Sequence, residues 1–113
     1  MGASGRDRIR TLFVCRYNQR RSATAERVFA KDPSLDVRSA GTSDEALVPV
    51  NERMLEWADI IFVMEKTHRN KLQQRFRRQL KARVICLDIP DEFEFMDPML
   101  VRLLETRVSR YLR

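Results

Sequence analysis

Several residue types that mark particular protein classes are scarce in this sequence of 113 residues. It contains two cysteines, three glycines, four prolines, one tryptophan and one histidine, with no internal repeat or low-complexity tract. Two cysteines are too few for a disulfide scaffold or a four-ligand zinc site, and a single histidine is no metal signature. We therefore expect neither a bound metal nor any other cofactor.

Long hydrophobic runs are also missing. The longest apolar runs, Ile60–Met64 and Val84–Leu87, fall far short of the roughly 20 residues of a membrane span. The polar segment Met1–Arg10 carries three arginines and has no apolar stretch typical of a secretory signal. Arg6 stands where a myristoylation signal needs Ser or Thr. We therefore expect a soluble, cytoplasmic protein with no membrane partner.

The composition is that of a folded domain with an anionic partner. Hydrophobic residues make up 43% and charged residues 34% of the chain, which is enough apolar material for one core. The formal net charge is +6, and 18 of the 22 basic residues are arginine, which binds phosphate and carboxylate groups bidentately. We expect residues 1–8 to be flexible and residues 9–113 to form one domain. No pattern in the chain specifies an oligomeric state.

Predicted strands alternate with predicted helices along the chain. Strands are predicted at Ile9–Val14, Leu35–Arg38, Asp59–Met64 and Val84–Leu87. Helices are predicted from Ser22 or Thr24 to near Asp32, and at Asn51–Ala58, Lys66–Gln79 and Pro98–Leu112. This order favours a single three-layer α/β domain, with a four-stranded parallel sheet flanked by helices. Such sheets bind ligands at the carboxyl ends of strands, which here is the segment between Val14 and Ser22.

The segment after the first strand, Cys15-Arg16-Tyr17-Asn18-Gln19-Arg20-Arg21-Ser22, has the character of an anion-binding loop. It leaves a strand and enters a helix, so its backbone N–H groups lie next to a helix N-terminus and form a cradle for an oxyanion. A cysteine there is favoured as a thiolate, and Arg21 can bind two oxygens of the same anion. The other cysteine, Cys86, lies inside an apolar strand and is interpreted as a core residue.

This loop and several other segments resemble those of the low-molecular-weight protein tyrosine phosphatases. The resemblance covers most of residues 9–112 and rests on Val14–Ser22, Ala25-Glu26, Ser39–Thr42, Ala58–Met64 and an acidic loop before the last helix. It implies that Cys15 is a nucleophile that forms a cysteinyl-phosphate and that Arg21 holds the transferring phosphoryl group. It also implies that Asn18 shapes the loop and that Ser22 donates a hydrogen bond to the thiolate. The substrate-binding residues are then Arg16, Tyr17, Asn18, Gln19, Arg20 and Ser22.

The loop departs from the usual pattern of that family at three positions. Tyr17 stands where Gly is usual, Arg20 where a second cysteine is frequent, and Ala23 where proline is frequent. Only 16 residues separate Thr42 from Asp59, where typical members carry a longer helix and a substrate-facing loop.

A phosphomonoesterase of this type needs a general acid to protonate the leaving oxygen. Five acidic residues and no basic one occur within residues 88–97. Asp91, followed by Phe93, fits the family's placement of the acid best. Asp88 and Asp97 are alternatives, although Asp97 before Pro98 is also a good N-cap for the last helix.

The sequence thus predicts a metal-free phosphomonoesterase acting on a phosphorylated protein, with phosphotyrosine the expected group, or on a small aryl phosphate. An arsenate reductase using the same loop is the first alternative, with Cys86 as its one further cysteine. A non-catalytic phosphate- or nucleic-acid-binding module is the second, and we do not expect nucleic acid as a partner. His68 is interpreted as a surface residue of the basic helix.

Overall fold

The computed structural model describes residues 8–112. Within these residues, four strands alternate with four helices. Their bounds are β1 Ile9–Cys15, α1 Arg21–Phe29, β2 Leu35–Gly41, α2 Glu52–Trp57, β3 Ile60–Val63, α3 Lys66–Arg75, β4 Arg83–Cys86 and α4 Pro98–Ser109. The predicted flexible segment 1–8 lies outside the described residues except for Arg8, which forms an ion pair with Asp36.

All strand pairs are parallel, and the strands lie in the order β2-β1-β3-β4. β1 and β3 occupy the centre of the sheet, and every residue of β3 is buried. Strands covered on both faces need apolar side chains at every position, which explains why Ile60–Val63 reads as an unbroken apolar run. The predicted four-stranded parallel sheet is confirmed.

Helices cover both faces of this sheet. Phe13, Phe62 and Ile85 point toward α1 and α4, where Leu100 and Leu104 complete one core cluster. The alternate strand residues point to the other face and form a second cluster with Leu55 of α2 and Leu72 of α3, namely Leu12, Val14, Ile61 and Val63. Because successive strand residues face opposite sides, the two clusters follow directly from the period of two.

The same alternation separates the two cysteines. Cys15 belongs to the cluster beneath α1 and α4, whereas Cys86 packs against the cluster beneath α2 and α3. Both thiols are free, Cys15 buried and Cys86 partly exposed. The two thiols therefore face opposite sides of the sheet.

Helix α3 ends at Arg75, four residues before the predicted end at Gln79. A longer helix would also bring Arg78 one turn from Arg75, and this like-charge pair disfavours the continuation. The chain instead turns at Phe76, whose carbonyl accepts from the N–H groups of Gln79 and Leu80. Leu80 still packs against the second core cluster through this turn. Among residues 8–112 no helix is long and apolar enough to cross a membrane.

Candidate active site

Cys15 is the last residue of β1, and its thiol lies at the carboxyl edge of the sheet. The side chain is 3% exposed. Its Sγ accepts a hydrogen bond from the backbone N–H of Asn18 at 3.3 Å and lies 3.0 Å from the Oγ of Ser22. These two polar partners stabilise a negative charge on sulfur, because each can donate to it.

Asn18 holds the loop in the shape that these contacts need. Its backbone has a φ of 59°, in the left-handed region that asparagine tolerates better than most residues. Its buried side-chain amide donates to the Oγ of Ser22 at 2.9 Å and to the Oγ of Ser39 at 2.8 Å. Ser39 in turn donates to the carboxylate of Glu26. The hydroxyl of Ser22 is thereby oriented by a network that reaches β2 and α1.

Ser39 and Glu26 have no role assigned from the sequence, although both lie in segments that carry the family resemblance. Neither residue type is distinctive alone, because serine and glutamate are common surface residues. The position of Ser39 at the site follows from the register of β1 with β2, which pairs Phe13 with Ser39. The pairing brings Ser39 beside the loop that follows β1.

The short segment after β2 supports the loop from outside. The backbone N–H of Thr42 donates to the carbonyl of Cys15 at 2.9 Å, and that of Leu47 donates to the carbonyl of Tyr17 at 3.1 Å. A Cβ at Gly41 would lie 2.5 Å from the carbonyl oxygen of Arg16, so this close approach requires glycine. The shortened stretch between Thr42 and Asp59 therefore still provides a wall for the loop.

Arg21, the first residue of α1, is 3% exposed although it carries a full charge. Its Nη1 donates to the carbonyl of Ile89 at 2.8 Å and lies 3.2 Å from the carboxylate of Glu65. Its Nε lies 3.8 Å from the carboxylate of Asp91. A buried cation is tolerated only when it is paired and hydrogen-bonded, and these contacts come from the segments after β3 and β4.

His68 lies in the interior, so the expectation of a surface histidine is wrong. The side chain is 3% exposed, and its Nδ1 accepts from the backbone N–H of Glu65 at 3.0 Å. Glu65 accepts from the N–H of His68 in return, which forms a reciprocal cap at the start of α3. The sequence carries a signal for this cap, because Glu65 stands just before α3 and His68, a second polar residue, follows it by three residues.

Acidification is expected to destabilise the protein through His68. Burial, and secondarily the charge of Arg21, lower the pKa of His68 from 6.5 to about 4. The unfolded chain takes up this proton at higher pH than the folded protein does. The contribution of neutral His68 to the free energy of unfolding is therefore complete above about pH 6.5 and is lost as the pH falls toward 4. The other charged groups near the ring are Glu65, Lys71 and Asp91.

The measurement compares wild type with His68→Gln by urea unfolding. Between about pH 7 and pH 4 the free energy of unfolding of wild type should fall further than that of the variant, by on the order of 3 kcal/mol. The difference between the two curves removes the contribution of the carboxylates, which titrate in both proteins. Parallel curves would contradict the prediction.

The three candidate acids have separate locations. Asp91 lies in the cavity that contains Cys15. Asp88 borders a different cavity and accepts a long hydrogen bond from the Cys86 thiol at 3.6 Å. Asp97 caps α4 by accepting from the N–H of Met99 at 2.8 Å, as its position before Pro98 predicts. Of the three, Asp91 is therefore the one placed beside the thiol.

The cavity around Cys15 has a volume of about 270 Å³. It is lined by Cys15, Arg16, Tyr17, Gln19, Arg20, Arg21 and Asp91. The two remaining predicted site residues, Asn18 and Ser22, are buried behind it. A larger groove of about 720 Å³ runs along α3, lined by Asn70, Gln73, Gln74, Arg77 and Leu80, and these residues supply neither a nucleophile nor an acid. Within residues 8–112, no three His, Cys, Asp or Glu side chains cluster as metal ligands would.

Solved structures share this arrangement of strands and helices. The tyrosine phosphatase Wzb from Escherichia coli K30, solved with phosphate, is 20% identical, with a TM-score of 0.74 over 90% of this chain and 94% of that chain. A low-molecular-weight protein tyrosine phosphatase from T. tengcongensis is 20% identical, with a TM-score of 0.70 over 89% of this chain and 93% of that chain. This chain has the low-molecular-weight protein tyrosine phosphatase fold.

The low-molecular-weight phosphatase fold is shared by proteins of different specificity. The YwlE arginine phosphatase from Geobacillus stearothermophilus is 22% identical, with a TM-score of 0.72 over 90% of this chain and 89% of that chain. No protein-family profile matches the sequence, and no curated protein sequence does. The expected resemblance and fold class are thereby confirmed at the level of the fold.

Proposed function

We propose that this protein is a phosphatase that hydrolyses phosphomonoesters through a cysteinyl-phosphate intermediate, with phosphotyrosine as the preferred group. One observation carries the proposal: a buried thiol with two hydrogen-bond partners shares a cavity with a buried arginine and a carboxylate. These are the nucleophile, the anion-binding group and the general acid that phosphoryl transfer needs.

In the first step the Sγ of Cys15 attacks phosphorus in line with the leaving oxygen. The P–S bond forms as the P–O ester bond breaks, and the proton of Asp91 passes to the leaving oxygen. The loop N–H groups and the guanidinium of Arg21 bind the three other oxygens as charge develops on them. In the resting protein Arg21 pairs with Asp91 and Glu65, so the phosphoryl group replaces Asp91 as its partner while Glu65 stays in place.

In the second step a water molecule attacks the phosphorus of the cysteinyl-phosphate. The carboxylate of Asp91 accepts a proton from this water, the P–S bond breaks, and inorganic phosphate leaves. Asp91 then again carries the proton that it gave up in the first step. The hydroxyl of Ser22, 3.0 Å from the sulfur, donates to the departing thiolate and makes it a better leaving group. No metal or other cofactor takes part in either step.

The depth and charge of the cavity favour an aryl phosphate over phosphoserine or phosphoarginine. Cys15 lies at the base of the cavity and is only 3% exposed, so the phosphoryl group must be carried on a long side chain. Arg16, Arg20 and Arg21 all line the cavity. A phosphoarginine would bring another guanidinium against these three, and juxtaposed like charges weaken binding.

The arrangement of the cysteines argues against the arsenate reductase alternative. A resolving thiol must reach Cys15 to release the product as a disulfide, and the sequence offers only Cys86 for this. Cys86 packs on the opposite face of the sheet, and burial and the nearby carboxylate of Asp88 raise the pKa of its thiol. A thiol that keeps its proton is a poor nucleophile.

The test is a comparison of three substrates in the presence of a chelator. We expect hydrolysis of p-nitrophenyl phosphate and of a phosphotyrosine peptide, with vanadate inhibiting both. The same peptide carrying phosphoarginine should have a kcat/KM at least about tenfold lower, because of the like charges at the cavity. A preference for phosphoarginine would reassign the substrate, and inactivity of the folded protein on all three would refute the proposed function.

A further inference from the structure

Two arginines line the active-site cavity in addition to the one that grips the phosphoryl group. Arg21 is buried at the base, whereas Arg16 and Arg20 are exposed. They extend from the loop between Cys15 and α1, so their charges flank the group that enters the cavity. The exposed arginines are therefore available to the part of the substrate that surrounds the scissile phosphate.

Within residues 8–112, neither exposed arginine is firmly neutralised by a carboxylate. The Nε of Arg20 lies 3.9 Å from the carboxylate of Glu94, and their side chains are 49% and 83% exposed. Such a solvent-exposed pair contributes little and exchanges easily with an incoming anion. Among residues 8–112 no carboxylate lies within ion-pair distance of Arg16, which stacks on the ring of Tyr17 at 4.9 Å.

The guanidinium of Arg16 packs over the ring of Tyr17 at the cavity. A guanidinium on an aromatic face loses little of its ability to donate hydrogen bonds in the plane of its nitrogen atoms. The carbonyl of Tyr17 is fixed by the N–H of Leu47, so the residue is tied to the segment after β2. Arg16 therefore extends from a segment whose backbone is hydrogen-bonded to the rest of the fold, with its guanidinium over the ring of Tyr17.

We propose that the substrate is a phosphotyrosine flanked by Asp or Glu residues, whose carboxylates bind Arg16 and Arg20. This inference rests on the proposed phosphatase function and specifies its substrate class. Arg21 is occupied by the phosphoryl group, which leaves one positive charge on each of the two exposed arginines. A carboxylate on the peptide chain beside phosphotyrosine is the group that complements them.

The experiment uses three phosphotyrosine peptides of equal length, flanked by glutamate, glutamine or lysine. For wild type the glutamate peptide should have the highest kcat/KM, by about two- to fivefold for each arginine engaged, and the advantage should shrink at high ionic strength. In the Arg16→Gln/Arg20→Gln variant the three peptides should become nearly equal. In the Arg16→Glu/Arg20→Glu variant the preference should turn to the lysine peptide, which a purely structural role of these residues would not produce.

Arg27→Gln is the matched control. Arg27 is an exposed arginine in the last turn of α1, away from the cavity, so this variant should keep the wild-type order of the peptides. Binding of the three peptides to Cys15→Ser, measured by fluorescence anisotropy, gives a readout that is independent of turnover. An active wild-type enzyme that treats all three peptides alike would overturn the inference and leave the proposed function intact. A folded wild-type protein that hydrolyses neither these peptides nor p-nitrophenyl phosphate would overturn both.

Discussion

Cys15→Ser is expected to lower kcat for p-nitrophenyl phosphate by about 10⁴-fold or more, because it removes the nucleophile on which both steps depend. The serine hydroxyl fits the same space, so the fold and the anion cradle should be kept. The measurement is turnover at mildly acidic pH with a chelator present, together with thermal unfolding of both proteins. Inorganic phosphate or vanadate should still bind to the variant, since Arg21 and the loop N–H groups are unchanged.

The matched control is Cys86→Ser, which changes the other cysteine in the same way. Cys86 packs on the opposite face of the sheet and borders a separate cavity, so its replacement should leave kcat near that of wild type. The pair of variants separates a specific nucleophile from a general need for thiols. Equal loss in both variants, or full activity in Cys15→Ser, would refute the assignment of the nucleophile.

Asp91→Asn is expected to lower kcat by about 10²- to 10⁴-fold, because the amide can neither protonate the leaving oxygen nor accept a proton from water. The loss should be larger for phenyl phosphate than for p-nitrophenyl phosphate, whose leaving group departs more readily without a proton. Steady-state kinetics on both substrates provide the measurement.

Asp88→Asn and Asp97→Ala are the controls that distinguish the three candidate acids. Asp88→Asn should keep activity, since this residue lies beside Cys86 and not in the Cys15 cavity. Asp97→Ala should instead reduce stability by about 0.5–2 kcal/mol, because it removes the N-cap of α4. A large loss of kcat in Asp88→Asn with Asp91→Asn fully active would transfer the acid role to Asp88.

The network behind the loop explains how a short chain can hold the site. Asn18, Ser22, Ser39 and Glu26 connect β1, β2 and α1 through side-chain hydrogen bonds. The segment that follows Gly41 adds backbone bonds from outside. In the proposed reaction these donors need not rearrange as negative charge moves from sulfur to the phosphoryl and leaving oxygens, which is the condition for electrostatic stabilisation of the transition state.

The amino-acid sequence alone determined the alternation of strands and helices and the place of the loop between β1 and α1. Both are local properties, since periodicity and the spacing from Cys15 to Arg21 can be read along the chain. It also indicated the N-cap role of Asp97, because the signal lies in the adjacent Pro98. The end of α3 predicted at Gln79 is wrong, because repulsion between Arg75 and Arg78 and the turn at Phe76 outweigh the apolar spacing.

Only the tertiary structure decided which groups meet at the site. The sequence favours Asp91 as the acid and leaves Asp88 and Asp97 as alternatives, whereas the path of the loop after β4 places Asp91 beside Arg21. The burial of His68 and the contact of Glu65 with Arg21 arise because the segments after β3 and β4 converge on the same helix start. Such contacts join residues far apart in the chain, so their distances depend on how the layers pack and not on any local pattern.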